Sequence, residues 1–212
     1  MLNFYRHIYF VFILTVLLLS FSFSNIFADI SEDIASHSFS SSRLSKGKVE
    51  IKIPIKISGI NYSAHYLKTS TRLIKERLME VLRRDMGATY HVSVQINKEK
   101  SQDWINISFS SASEKTEKLI RATFETLHTM SQFGVIQKDV DRMKLTEMLR
   151  LEKKRNTNDY WMQALVASDE NAFPIEWIEN VAQVINSINR VEVNQTLHQI
   201  YPKNDYRILY GL

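Results

Sequence analysis

Two side chains that could take part in catalysis or binding lie in one segment, Leu82 to Val94, which reads LRRDMGATYHVSV. Arg83 supplies a permanent cation, and Tyr90 supplies a phenolic hydroxyl that can donate a hydrogen bond. Both residues also have a structural explanation, because an arginine in the last turn of a helix is favoured by the helix dipole and a tyrosine often bridges core and surface. Whether these residues have a function therefore depends on the helix and the strand that position them.

Other side chains that commonly perform catalysis are missing or poorly spaced. The chain of 212 residues has no cysteine, which excludes a disulfide, a thiol nucleophile and a cysteine zinc site. No serine lies in a nucleophile-elbow motif. No two histidines are four positions apart; they are His7, His37, His65, His91, His128 and His198. We expect His65, His91 and His128 to be surface residues, and we predict no catalytic residue, no metal site and no cofactor.

The elements around Arg83 and Tyr90 follow from the spacing of apolar residues. One helix face collects Tyr66, Leu67, Ile74, Leu78, Val81 and Leu82 at intervals of three and four. Gly87 ends this pattern, as glycine often does just past a helix. Val92, Val94 and Ile96 then alternate with polar residues, which is typical of a half-buried strand. Arg83 is thus predicted in the last turn of a helix from about Tyr62 to Met86, and Tyr90 at the start of the next strand.

Further strands are predicted on both sides of this unit. The clearest alternates over Val49 to Ile57, and its Pro54 indicates either an edge strand or a proline nitrogen that faces outward. A strand through Trp104 and Phe109 is expected to run antiparallel to the one through Ile96, and a last short strand covers Tyr206 to Tyr210.

Several helices separate these last two strands. A capping box of Ser111 and Glu114 is expected to open the first, which Gly134 ends. The second begins near Lys138, and the run Glu152 to Arg155 is interpreted as an exposed turn or a solvated helix end. Its expected inner positions are Val140, Met143, Leu145, Met148 and Leu149. Further short helices are indicated by Trp161, Leu165, Trp177, Ile178, Val181, Ile185 and Ile188, and another by Asn189 to Ile200. Trp104, Trp161 and Trp177 are expected in the core.

Grouped strands and segregated helices predict an α+β domain with two layers, an antiparallel sheet covered by helices. We assign this domain to residues 48–212. Residues 29–47 are rich in serine and lack apolar periodicity, which indicates a flexible linker. Residues 1–28 have the order of a secretory signal peptide: Arg6, an apolar run, and the small residue Ala28. The protein is therefore expected to be periplasmic or secreted, with membrane attachment only if this signal stays uncleaved.

The charge balance argues against a nucleic-acid partner. The formal net charge is +4, and the basic and acidic residues are interleaved along the chain. We interpret this pattern as a solvated surface.

Four segments resemble the C-terminal domain of the pitrilysin/insulinase family of zinc peptidases. The first is LRRDMGATYHVSV, and the second is FGVIQKDVDRMK, from Phe133 to Lys144. The third combines Asn158 with Trp161 and Leu165. The fourth runs from Ile185 to Ile188 and continues with Val193, Tyr201 and Pro202. Each motif is weak alone, but their common order covers the chain from about Lys48 to Leu212.

The resemblance implies a divided chemistry. Catalytic domains of that family carry His-x-x-Glu-His, whose histidines bind zinc and whose glutamate activates water. This sequence lacks that motif. The C-terminal domains supply an arginine and a tyrosine, matched here by Arg83 and Tyr90, which are held to bind the substrate backbone and stabilise the developing oxyanion. The resemblance therefore implies that the chain is inactive alone.

Three hypotheses follow. The chain is a subunit that supports substrate binding in trans with a zinc-bearing peptidase partner, a truncated remnant without activity, or an exported binding or scaffold protein. An independent hydrolase is disfavoured because metal ligands are missing. Since domains of this family normally pack against another domain, a lone copy is expected to expose an apolar patch.

Overall fold

Alternating apolar residues pair across four strands in the computed structural model, which describes residues 47–55, 64–85, 91–99, 102–171, 176–202 and 205–210. The predicted signal peptide, nearly all of the linker, Tyr90, Gly87 and the turn around Pro174 lie outside these ranges. The side chain of Trp177 is also outside the description.

The sheet is antiparallel, and its strands lie in the order β2-β3-β1-β4. The strands are β1 (Lys48–Pro54), β2 (Val92–Asn97), β3 (Trp104–Ser110) and β4 (Arg207–Tyr210). Ile51 of β1 lies opposite Ile107 of β3 and Ile208 of β4, so the apolar residues of three strands meet on one face. The other face is polar, and there Asn106 Nδ2 donates to Glu50 Oε1 at 2.6 Å.

Helices cover the apolar face of this sheet. In the described ranges they are α1 (Ala64–Leu78), α2 (Thr116–Phe133), α3 (Gln137–Arg155), α4 (Asn158–Asn171), α5 (Glu176–Ser187) and α6 (Arg190–Ile200). A π-helical turn, Met79–Asp85, continues α1, and a short 3₁₀ turn, Ser113–Lys115, precedes α2. The core joins the inner sheet face to α1, α2 and α6, with Leu78, Leu119 and Val193 fully buried. The predicted two-layer α+β fold is confirmed.

The prediction that β1 lies at an edge is wrong, because β1 lies between β3 and β4. The alternative explanation of Pro54 holds. Ile55 N donates to Asp103 O at 2.8 Å, on the β3 side. Since successive backbone nitrogens alternate sides, the Pro54 nitrogen faces the β4 side, where pairing ends with Lys52 opposite Arg207. The proline therefore removes no ladder hydrogen bond.

The expected capping box is also wrong. The residue that caps the 3₁₀ turn is Ala112, and its side chain makes no capping bond. The Ser111 hydroxyl instead contacts Ala112 O at 2.9 Å and Thr116 Oγ1 at 3.1 Å. The helix begins later than the pattern indicated because a tight 3₁₀ turn intervenes.

Some predicted inner positions face solvent. Val140 and Met143 are buried in α3, but Leu145 and Leu149 are 63% and 50% exposed. Trp104 is buried as expected, whereas Trp161 is 42% exposed, so its assignment to the core is wrong. Glu152, Lys153 and Lys154 are exposed in the last turn of α3, which supports the helix-end interpretation of that run over the turn.

Candidate functional site

The segment that carries Arg83 is anchored by the core. Leu78 ends α1 and Leu82 lies in the π-helical turn, and both are 0% exposed. Four positions separate them, so both leucines can pack into the core while the next residue points elsewhere. Arg83 is exposed. Seven residues in π-helical conformation are unusual, and such turns occur frequently at functional sites.

The guanidinium of Arg83 has no hydrogen-bond or ion-pair partner among the described residues, in contrast to other arginines of this surface. Arg77, six positions earlier, pairs with Glu80 at 2.6 Å, and Arg142 pairs with Glu76 at 2.9 Å. An exposed cation on a well-anchored turn is available to a ligand.

Tyr90 lies outside the described residues, so no distance joins it to Arg83. The strand that follows Tyr90 is fixed in the sheet, since Val92 is fully buried and lies opposite Phe109. His91 is exposed immediately before β2, in agreement with its expected surface position. His65 and His128 are half-buried, so the expectation that they lie at the surface is only partly met. Burial and the nearby Lys68 lower the pKa of His65, which favours its neutral form.

Two other residues of the recognised pattern have structural roles. Lys144 Nζ donates to Asn186 O at 2.6 Å and to Ile188 O at 3.0 Å, so its cation closes the carboxyl end of α5. Gly134 ends α2 with φ 68°, and an added Cβ would lie 2.5 Å from the Asn194 side chain. Asn194 Oδ1 in turn accepts from Val135 N at 2.8 Å. These motif positions hold helices together.

The tyrosine at the start of α1 also connects elements. Asn189 Nδ2 donates to Tyr66 OH at 3.2 Å, and Tyr66 OH lies 3.4 Å from Ser187 O. Burial and the carboxylate of Glu192 raise the pKa of Tyr66 to about 12. The phenol is therefore kept neutral where α1 meets the junction of α5 and α6.

The described residues do not fit a zinc ion. No three histidine, cysteine, aspartate or glutamate side chains among them converge on a point that could hold a metal. Within the same ranges, no helix combines the length and the apolar composition that crossing a membrane requires.

Sequence reasoning missed a basic cluster between α1 and α3. It consists of Lys68, Arg72, Arg150 and Lys154, which approach one another closely enough to affect the pKa of Lys68. Each lysine or arginine alone looks like an ordinary solvated charge. Only the packing of α1, which ends at Leu78, against α3, which begins at Gln137, brings them together, so no local signal could have found the cluster.

A family model matches the middle of the chain. Residues 60–146 match the family model described as Peptidase M16 inactive domain. The chain is similar to the chloroplastic stromal processing peptidase of Oryza sativa subsp. indica, with 27% identity over 120 residues. The match covers 56% of this chain and 10% of the relative, so the chain spans about a tenth of the length of the curated relatives that it matches.

Solved structures share the fold. The periplasmic protease PqqL of Escherichia coli has a TM-score of 0.67 at 11% identity, over 83% of this chain and 20% of that one. The ferredoxin protease FusC, in complex with Arabidopsis ferredoxin, has a TM-score of 0.64 at 16% identity, over 82% of this chain and 20% of that one. Residues 60–146 therefore match the inactive domain of the peptidase M16 family, the chain shares the fold of these solved proteases, and the resemblance inferred from its motifs is confirmed.

Proposed function

We propose that this chain is a non-catalytic subunit that binds peptide substrate in trans, beside a zinc-bearing peptidase of the same family. The observation that carries the proposal is Arg83, an exposed cation without a partner among the described residues, on a turn fixed by the buried Leu82. The family resemblance gives this position, together with Tyr90, a substrate-binding role.

The chemistry suits these two residue types. Water attack on a peptide carbonyl places negative charge on the carbonyl oxygen, and a preorganised cation or hydrogen-bond donor stabilises that charge. Arg83 would supply the cation and Tyr90 the phenolic donor, while the partner would supply zinc and the general base. The chain's own contribution would be to bind the substrate backbone and to stabilise the charge that develops on its carbonyl oxygen.

We also propose that the protein is exported, with residues 1–28 as a signal peptide, 29–47 as a linker and 48–212 as the domain. The charged, apolar and small-residue order of the first segment supports this assignment. A structure of the same fold is that of a periplasmic protease, which is consistent with a periplasmic or secreted location.

A scaffold protein is the second candidate. The observation that favours it is the exposure of large apolar side chains, among them Trp161, Met162 and Leu165 at 42%, 66% and 50%. Surfaces of this kind bind partners without chemistry of their own.

Reconstitution separates these candidates. The purified chain is expected to cleave no peptide with or without zinc, whereas a zinc-bearing family subunit from the same organism is expected to cleave faster when the chain is added. Arg83→Ala or Tyr90→Phe should lower that gain by roughly 100-fold, and Arg77→Ala should not. Full gain with both substitutions would favour the scaffold, and no gain with the unaltered chain would favour an inactive remnant.

A further inference from the structure

The basic cluster defined above holds more positive than negative charge. Arg72 and Arg150 both pair with one carboxylate, Glu147, which lies 2.9 Å from Arg150. Lys68 and Lys154 have no ion-pair partner among the described residues. Four cations and one carboxylate leave a local charge of +3 between α1 and α3.

The centre of this cluster is partly enclosed, whereas Lys68, Arg150 and Lys154 are exposed. The side chain of Arg72 is 27% exposed and that of Glu147 is 14% exposed. Burial, with repulsion from Arg72, Lys154 and Arg150, lowers the pKa of Lys68, and burial with repulsion from Arg150 lowers the pKa of Arg72. An anion bound here would relieve both effects, since an opposite charge favours the charged form of each group.

An apolar face begins where the cluster ends. Lys154 lies in the last turn of α3, and the neighbouring Arg155 O accepts from Trp161 Nε1 of α4 at 2.8 Å. Trp161 belongs to an exposed apolar set at spacings of one, four and five, which places its members on one side of a helix. This apolar face consists of Trp161, Met162, Leu165 and Val166, exposed by 42%, 66%, 50% and 52%.

We propose that the basic cluster and the adjoining apolar face bind an acidic, amphipathic helix of a partner protein. Carboxylates on such a helix would pair with Lys68 and Lys154, and its apolar side would cover α4. This inference does not depend on the role of Arg83, which lies on a different segment.

Charge argues against two other occupants. A second copy of the chain would bring the same excess of cations to a two-fold symmetric interface, and like charges would meet there. An anionic lipid surface would meet the exposed carboxylate of Asp159, whose Oδ2 accepts from Gln163 Nε2 at 3.0 Å on the same helix. A protein helix can place a neutral or basic residue opposite that carboxylate, which a uniformly anionic surface cannot.

Fluorescence anisotropy with synthetic peptides tests this proposal on the full chain. The probe is a labelled helical peptide of about 20 residues with leucine on one side and glutamate on its flanks, and the control peptide carries lysine in place of glutamate. Lys154→Glu and Lys68→Glu should each weaken binding of the acidic peptide by about 10-fold or more. The matched variant Lys138→Glu, an exposed lysine at the start of α3, should leave it within about 2-fold.

Three results would overturn the proposal. They are equal binding of the two peptides, undiminished binding by Lys154→Glu and Lys68→Glu, and no binding of the acidic peptide up to about 1 mM. Phosphatidylglycerol vesicles form the competing arm. Binding of the chain to these vesicles that is lost in Lys154→Glu, without any binding of the acidic peptide, would assign the surface to lipid instead.

Discussion

Two regions of the molecule differ in how far their apolar side chains are buried. One is formed by the helices packed on the sheet, and the other is the hairpin of α3 and α4. Between the sheet and α1, α2 and α6, residues such as Leu82, Leu119 and Val193 are fully buried. On the hairpin, Leu149 and Leu165 are each 50% exposed. The first region has its core within this chain and holds Arg83 in place, although Phe133 of α2 and Val191 of α6 are 73% and 61% exposed. The second has the apolar surface of an element that packs against another molecule.

The largest expected effect is on stability, and it compares the same truncation, leucine to alanine, in the two regions. Leu82→Ala should lower the free energy of unfolding by about 2–5 kcal/mol, because it leaves a cavity in the core. Leu165→Ala should change it by less than about 1 kcal/mol, because the side chain is half in solvent. Urea denaturation measures both values. Similar losses for the two variants would mean that the hairpin is packed as tightly as the sheet layer.

A substitution in the turn that joins α2 to α3 should lower the stability nearly as much as Leu82→Ala. Gly134→Ala should cost about 1–3 kcal/mol of stability, since the positive φ of 68° is strained for alanine. The added Cβ would also meet the Asn194 amide at 2.5 Å. Gln132→Ala, at an exposed position in the same helix end, is the control and should be close to neutral. A neutral Gly134→Ala variant would show that this junction is not rigid.

A smaller, pH-dependent effect tests the contact between α1 and the α5–α6 junction. The pKa of Tyr66 is raised from 10.0 to about 12 in the fold, so between these values the unfolded chain ionises first. The stabilisation is therefore present below pH 10 and is lost as the pH rises toward 12. Tyr66→Phe should lose less stability over this interval than the unaltered chain, as measured by urea titrations at each pH. Identical slopes for the two proteins would contradict the raised pKa.

The sequence was sufficient for the sheet layer because its signals are local. Alternation placed each strand, and Gly134 and Asn189 marked helix ends that the structure confirms. The interior position of β1 was missed because a proline is tolerated wherever the neighbouring strand stops short, and that depends on the length of β4.

On the hairpin, the same periodicity gave the wrong burial. An apolar stripe predicts a covered face. Leu145 and Leu149 form such a stripe on α3, and Trp161 and Leu165 form another on α4. The pattern cannot say whether the cover lies in the same chain. Exposed apolar side chains of the kind expected of a lone domain are present among the described residues.

Only part of the candidate site could be predicted from the sequence. Arg83 could be found from its motif and its helix-end position, but its exposure and its unpaired state among the described residues depend on where Glu80 and Glu76 direct their carboxylates. The pair of Arg142 with Glu76 is a tertiary contact, as are the contacts that gather the basic cluster.

The kinetic constants of a reconstituted peptidase test the central claim most directly. With a saturating amount of this chain added to a zinc-bearing family subunit, kcat and KM for one peptide are measured with the unaltered chain, Arg83→Ala and Arg77→Ala. If Arg83 stabilises the charge that develops on the carbonyl oxygen, its removal should lower kcat by roughly 100-fold while Arg77→Ala leaves kcat unchanged. An unchanged kcat with Arg83→Ala would contradict the account.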